Sequence, residues 1–252
     1  MDKILVVIPY LASAAQGREL EFAVAGWKHH FIHPCHIVIV GEGLGNVPDP
    51  IVDNGGISLI ESPRVPAIQG QYRQHLDYVN CLRKVREAFP EGEEFIFVAD
   101  DCYAVNDFDL ADVKFLKMQE PDLRFSAKSS NGWERDKAKT RDALVREEYP
   151  TRNFTTHLPQ CYNWARLEIL WDRFKMDSES HVMEDLYYNI WHSCRIPFRL
   201  DRRRDNLKLG LYSKNPDSAE LNRAMATKIW ITNSPEGWVP MLEDLLKAHY
   251  GM

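Results

Sequence analysis

No apolar run in this chain is long enough to cross a bilayer, so no transmembrane helix is expected. Cysteine is sparse: Cys35, Cys81, Cys102, Cys161 and Cys194 are odd in number and form no CxxC pair. That scatter argues against a disulfide framework or a zinc site and fits reduced cytosolic thiols. A surplus of positive charge is also missing. Lys and Arg total 31 against 37 Asp and Glu, a formal net charge of −6. A general electrostatic grip on nucleic acid is therefore not expected, although a local basic groove stays open. There is no internal repeat and no low-complexity linker. Met1 to Pro9 is too short and too strand-like for a signal peptide, so the expected location is cytoplasmic.

What is present is an ordinary globular composition, 44% hydrophobic and 27% charged. At 252 residues the chain is long enough for one large α/β domain. Lys3 to Pro9 reads as a β-branched strand closed by its proline. Residues 16–31 read as a helix whose apolar positions fall only loosely on one face. His36 to Val40 and Ile57 to Ile60 are further strands. Residues 70–88 carry Leu76, Val79, Leu82 and Val85 in one helical stripe. A strand over Phe95–Val98 follows. This alternation is the pattern of a parallel sheet flanked by helices. The second half is less regular. Residues 126–156 are polar and read either as a loop over a site or as a solvated surface helix, the composition favouring the helix. Residues 163–174, 182–193 and 240–250 read as helices.

The most informative stretch is Phe95-Ile96-Phe97-Val98-Ala99-Asp100-Asp101-Cys102. A buried strand ends there in two adjacent carboxylates, at the end where open α/β sheets bind ligands. Two adjacent acids are costly to desolvate without a positive partner. A divalent cation holding a substrate phosphate supplies one.

These residues resemble the GT-A glycosyltransferases, which use nucleotide-sugar donors. The resemblance covers residues 3–105 well and 155–215 loosely. It implies an α/β, Rossmann-like, mostly parallel sheet flanked by helices, followed by an irregular acceptor half. A single domain is implied, with residues 1–105 as its nucleotide-binding half and 106–252 as its acceptor-binding half. Ala99-Asp100-Asp101 stands in the place of the family's DxD motif. The first acid of a full motif is missing, or else Cys102 takes its third place. Asp101, with Asp100 beside it, is the implied ligand of Mn²⁺ or Mg²⁺. Inverting members use an acid pair at a helix start as general base, and Glu184-Asp185 opens such a helix. Asp185 is the expected base, with Glu184 beside it.

The resemblance also implies a donor site containing Pro9, Glu42, Arg64, Arg73, Asp100 and Lys208. Arginines clamp phosphate through two parallel hydrogen bonds. His157 and Tyr162 are the expected acceptor-binding residues. The basic run Arg199, Arg202-Arg203-Arg204 and Lys208, with Tyr212 nearby, reads either as a solvated face or as a loop closing over the diphosphate. His181 and His192 are further candidate metal ligands. The expected reaction moves a sugar from a nucleotide-sugar to a hydroxyl acceptor: a saccharide, a small molecule, a protein or a modified nucleobase. Two alternatives stand beside it. One is a nucleotidyl or sugar-phosphate transferase, for which Ala12 to Arg18 is the nearest approach to a phosphate loop. The other is a non-catalytic nucleotide- or sugar-binding module.

Overall fold

The computed structural model describes residues 3–47, 55–201, 205–210 and 216–252. Arg202-Arg203-Arg204 and Tyr212 lie outside the described residues. Strands β1 (Ile4–Leu11), β2 (Cys35–Glu42), β3 (Ile57–Glu61), β4 (Glu94–Phe97) and β7 (Gln160–Asn163) form a five-stranded sheet in the order β3-β2-β1-β4-β7. The first four run parallel, and β7 closes the edge antiparallel to β4. The fold is thus mixed α/β with a mostly parallel central sheet. A smaller sheet holds β5 (Cys102–Ala104), β10 (Trp230–Asn233) and β9 (Leu207–Leu209) in that order. A third pairs β6 (Lys117–Met118) with β8 (Phe198–Arg199). The described helices of α type are α1 (Glu19–His30), α2 (Arg73–Ala88), α3 (Leu110–Lys114), α4 (Gly132–Arg146), α5 (Trp164–Arg173), α6 (Met183–Trp191), α7 (Ser218–Thr227) and α8 (Pro240–Tyr250).

Both faces of the central sheet are covered, which is why its strands read as nearly unbroken apolar runs. Val6, Ile8, Ile37, Ile39 and Ile96 point into one core with Leu20, Val24 and Trp27 of α1. Val7, Val38, Val40 and Phe95 point into the other with Val79, Leu82 and Val85 of α2. The expected stripe of α2 is buried along its whole length. Burying each such aliphatic side chain stabilises the fold by about 1.5–3 kcal/mol.

Two expectations change on contact with the structure, and a third finds its reason. Pro9 does not end β1, which continues to Leu11. The Val7 carbonyl accepts from Val98 on the β4 side. Pro9, two residues on, faces that same side, beyond the last residue of β4, so its missing N–H leaves no ladder bond unmade. Helix α1 lacks a clean apolar stripe because it lies between two sheets. Leu20, Val24 and Trp27 face the central sheet, while Phe22, Ala23 and Ala25 join the core of the small sheet. Gly26 is where α1 approaches β5 most closely: a Cβ there would stand 2.8 Å from the Ala104 backbone nitrogen. Helix α4 resolves the open reading of residues 126–156 toward a helix, but not a wholly solvated one. Asp136, Lys137 and Thr140 on its inner face are buried.

Candidate active site

The chain leaves β1 through α1 to reach β2 on one side, while β4 lies on the other. Their carboxyl ends therefore diverge and leave a crevice, the usual ligand position in an open α/β sheet. A cleft of about 520 Å³ occupies it. Its walls come from the ends of β1 and β2, the segment after β3, the start of α2 and the turn after β4. Gly41 is required here. A Cβ on it would fall 1.7 Å from the Tyr10 carbonyl oxygen.

Asp100 and Asp101 form the turn that carries the chain from β4 in the central sheet to β5 in the small one. Cys102 is therefore not part of an acidic tip; it begins β5 and is fully buried. Burial, then the charges of Asp101 and Glu19, push the Asp100 carboxyl well above the usual carboxylate range. Burial also raises Asp101, and Lys208 opposes that rise. The Lys208 ammonium stands 3.6 Å from Asp101 Oδ2 and donates to the Asn233 carbonyl at 2.5 Å. Asp101 Oδ1 is buried with no hydrogen-bond partner among the described residues. Leaving a buried polar atom unsatisfied costs about 1–3 kcal/mol, more when it is charged.

Pro9, Glu42, Arg64, Arg73, Asp100 and Asp101 all line the cleft. Lys208 reaches it through Asp101. The Arg64 side chain is fixed by Asp77, with Nε donating to Oδ2 at 2.8 Å. Arg73 opens α2, and its Nε is buried without a partner among the described residues, like the Asp101 oxygen. The exposed Glu42 carboxylate accepts from the Arg64 backbone N–H at 3.3 Å.

Sequence reading missed four residues of this site. Glu19 in the first turn of α1 is buried; it accepts from Asn233 Nδ2 at 2.6 Å and from the Gln16 N–H at 2.7 Å. Burial raises its pKa despite those bonds. Asn233, at the end of β10, also accepts from the Tyr103 hydroxyl at 2.5 Å. Tyr10 and Tyr78 line the cleft, and both phenols are raised, chiefly by burial and then by the nearby acids. An acid just inside the helix after the first strand was the one sequence signal available. Asn233 carried none, since its role depends on β10 pairing with β5.

Other expected residues fall elsewhere. Asp185 is fully buried in an ion pair with Lys137 at 2.6 Å, and its second oxygen accepts from the Phe154 N–H at 2.6 Å. Lys137 also bonds Asn153 Oδ1 and the Thr155 hydroxyl. Burial pushes the Asp185 carboxyl up to about 6. With both oxygens committed and no surface open, Asp185 as placed here faces no acceptor hydroxyl, which departs from its expected position as base. Glu184, half-buried, has no cation paired to it among the described residues. Its charge acts on the Tyr78 phenol, a wall of the cleft. Tyr162 sits in the aromatic core against Phe95, with its hydroxyl donating to Gln160, and does not line the cleft. His157 is exposed, in a left-handed turn at φ 58°, also away from the cleft walls. His181 and His192 do not line it either. Among the described residues no three His, Cys, Asp or Glu side chains are placed to hold a metal together. Also among them, no helix is long and apolar enough to cross a membrane.

No family model matches the chain, and no curated protein matches it. Among solved structures it is similar to mouse xyloside xylosyltransferase 1 in its apo form. That match has 10% identity and a TM-score of 0.46, over 95% of this chain and 100% of that one. It is also similar to a glycosyltransferase involved in the glycosylation of the major capsid of PBCV-1. There the identity is 11% and the TM-score 0.43, over 100% of both chains.

Proposed function

We propose that this chain is a glycosyltransferase that moves a sugar from a nucleotide-sugar donor to a hydroxyl acceptor, with Mn²⁺ or Mg²⁺ at Asp101. The supporting observation is the buried, partnerless Asp101 Oδ1 in a cleft it shares with the buried, partnerless Nε of Arg73. An unbonded acceptor and an unbonded donor in one cleft suit a metal diphosphate. The residues fit a metal with few protein ligands, completed by substrate phosphate. Such an ion, when bound, stabilises charge developing on a diphosphate leaving group.

The chain's own residues have the following roles in this reading. Asp101 holds the metal, and Asp100 stands beside it. Arg73 and Arg64, the latter steadied by Asp77, hold donor phosphate. Glu42 and Pro9 border the nucleoside. Lys208 and Asn233 fix the Asp101 turn, Lys208 through its ammonium and Asn233 through its N–H to the Asp101 carbonyl at 3.2 Å. Glu184 replaces Asp185 as the carboxylate that takes the acceptor proton, with inversion at the transferred carbon. Residues 1–105 form the nucleotide half of one domain and 106–252 the acceptor half.

The test is thermal unfolding with a panel of nucleoside diphosphates and nucleotide-sugars, with and without Mn²⁺. A ligand bound only by the native state raises the midpoint. A Mn²⁺-dependent rise with one nucleotide, lost in Asp101→Asn, supports the donor site; sugar transfer from that nucleotide-sugar then separates an enzyme from a binding module. No rise with any member of the panel overturns the reading.

A further inference from the structure

A second cavity, of about 310 Å³, lies between α3 with its following segment, strand β7 and the end of α6. It shares no lining residue with the cleft. Its walls carry Lys114, Lys117, Arg166, Arg195 and His192 against a single acid, Glu94. That acid is already committed, since Lys114 Nζ stands 2.5 Å from its Oε2. Among the described residues, Lys117, Arg166 and Arg195 have no carboxylate partner at all. The Lys117 ammonium donates only to backbone carbonyls, those of Asp112 at 2.5 Å and Phe115 at 3.3 Å. Arg166 lies over the Trp191 ring at 5.5 Å.

Uncompensated cations gathered in one pocket repel one another. Here they gather on a chain whose net charge is −6, so the balance is local and opposite to the whole. Burial holds the Lys117 ammonium down at about 8, with the nearby Asp112 charge opposing that fall. Arg166 and Arg195 offer planar forks that match tetrahedral oxyanions. Leu158, Pro159 and Tyr188 supply an apolar wall beside them.

We propose that this pocket is a second binding site, separate from the cleft, that takes the phosphoryl or sulfuryl group of a small molecule. It stands independently of the glycosyltransferase reading. The volume is at the small end of ligand pockets, room for the oxyanion and a modest organic body.

The test is calorimetric titration of the full chain with inorganic phosphate, and separately with inorganic sulfate, at low salt. Saturable binding at this pocket is expected in the wild type and should persist in Arg73→Gln, which removes a phosphate contact from the cleft alone. Lys117→Gln and Arg166→Gln should each weaken it by about tenfold or more, with Arg166→Lys recovering part of the loss. Binding of both anions identifies recognition of any tetrahedral oxyanion; binding of phosphate alone identifies a site that also uses the phosphate proton. Arg166 is exposed, so its variant keeps the test valid if Lys117→Gln unfolds. The proposal is overturned by absence of saturable binding, or by binding that Arg73→Gln removes and the two pocket variants leave intact.

Discussion

Two pairs of adjacent carboxylates, Asp100-Asp101 and Glu184-Asp185, look alike in the sequence and end up in opposite electrical situations. Asp185 is sealed with Lys137 at 2.6 Å and has every oxygen occupied. Asp101 has Lys208 no nearer than 3.6 Å and keeps one buried oxygen unbonded. The first arrangement is complete within the protein. The second leaves one buried acceptor unmet among the described residues. In each pair the answer depends on where a distant lysine arrives, 48 residues upstream for Asp185 and far downstream for Asp101. An acid pair in a sequence is therefore a question about its counter-charge, and the counter-charge is supplied by the fold.

The sharpest way to break this comparison is to remove the sealed cation. Lys137→Met leaves Asp185 buried without its cation and should cost about 3–5 kcal/mol in urea unfolding. The double replacement Lys137→Met with Asp185→Leu should recover most of that loss. A single variant as stable as the wild type would mean that the pair is not sealed. On the open side, Asp101→Asn should lower metal-dependent transfer by about 10²–10³-fold while changing stability by less than about 1 kcal/mol. Unchanged turnover in that variant would end the metal assignment.

Within the second pair, Glu184→Gln should lower turnover by about 10²-fold and leave the unfolding midpoint nearly unchanged. Asp185→Asn should do the reverse, losing stability first. If the two variants exchange these behaviours in parallel assays of rate and denaturation, Asp185 returns as the base. The smallest effect concerns pH. The Asp100 carboxyl is raised in the folded state, so the native protein holds its proton longer than the unfolded chain does. Its contribution to stability is thus lost as pH rises from the ordinary carboxylate range through the raised folded value. Asp100→Asn should accordingly gain on the wild type as pH rises through that window, measured by denaturation without divalent metal. A difference that shrinks instead would show that Asp100 is held by a cation.

Much of the first half was readable because local pattern and tertiary use agree there. The stripe of α2 and the strands around Val6, Val38 and Phe95 bury what their sequence says they bury. Reading weakened where an element serves two partners or buries polar groups. Helix α1 packs on two sheets at once, which erases a one-sided stripe. Helix α4 looks solvated because its inner face is charged, yet Lys137 is fully buried, neutralised by Asp185 and hydrogen-bonded to Asn153. The same limit applied to the cleft: Pro9, Glu42 and Asp100, which line it, were singled out from the sequence, while Glu19 and Asn233 were not.

The sequence by itself determined the alternating strands and helices of the parallel sheet and the place of Asp100-Asp101 at the carboxyl end of a strand. Periodicity and composition act over a few neighbouring residues, and those features are local. Tertiary structure decided that the acid turn joins two sheets, that Asn233 and Lys208 brace it, and that Lys137 closes off Asp185. Those outcomes depend on burial and on charges brought together across the chain, because the energy of a carboxylate is set by what surrounds it rather than by what precedes it.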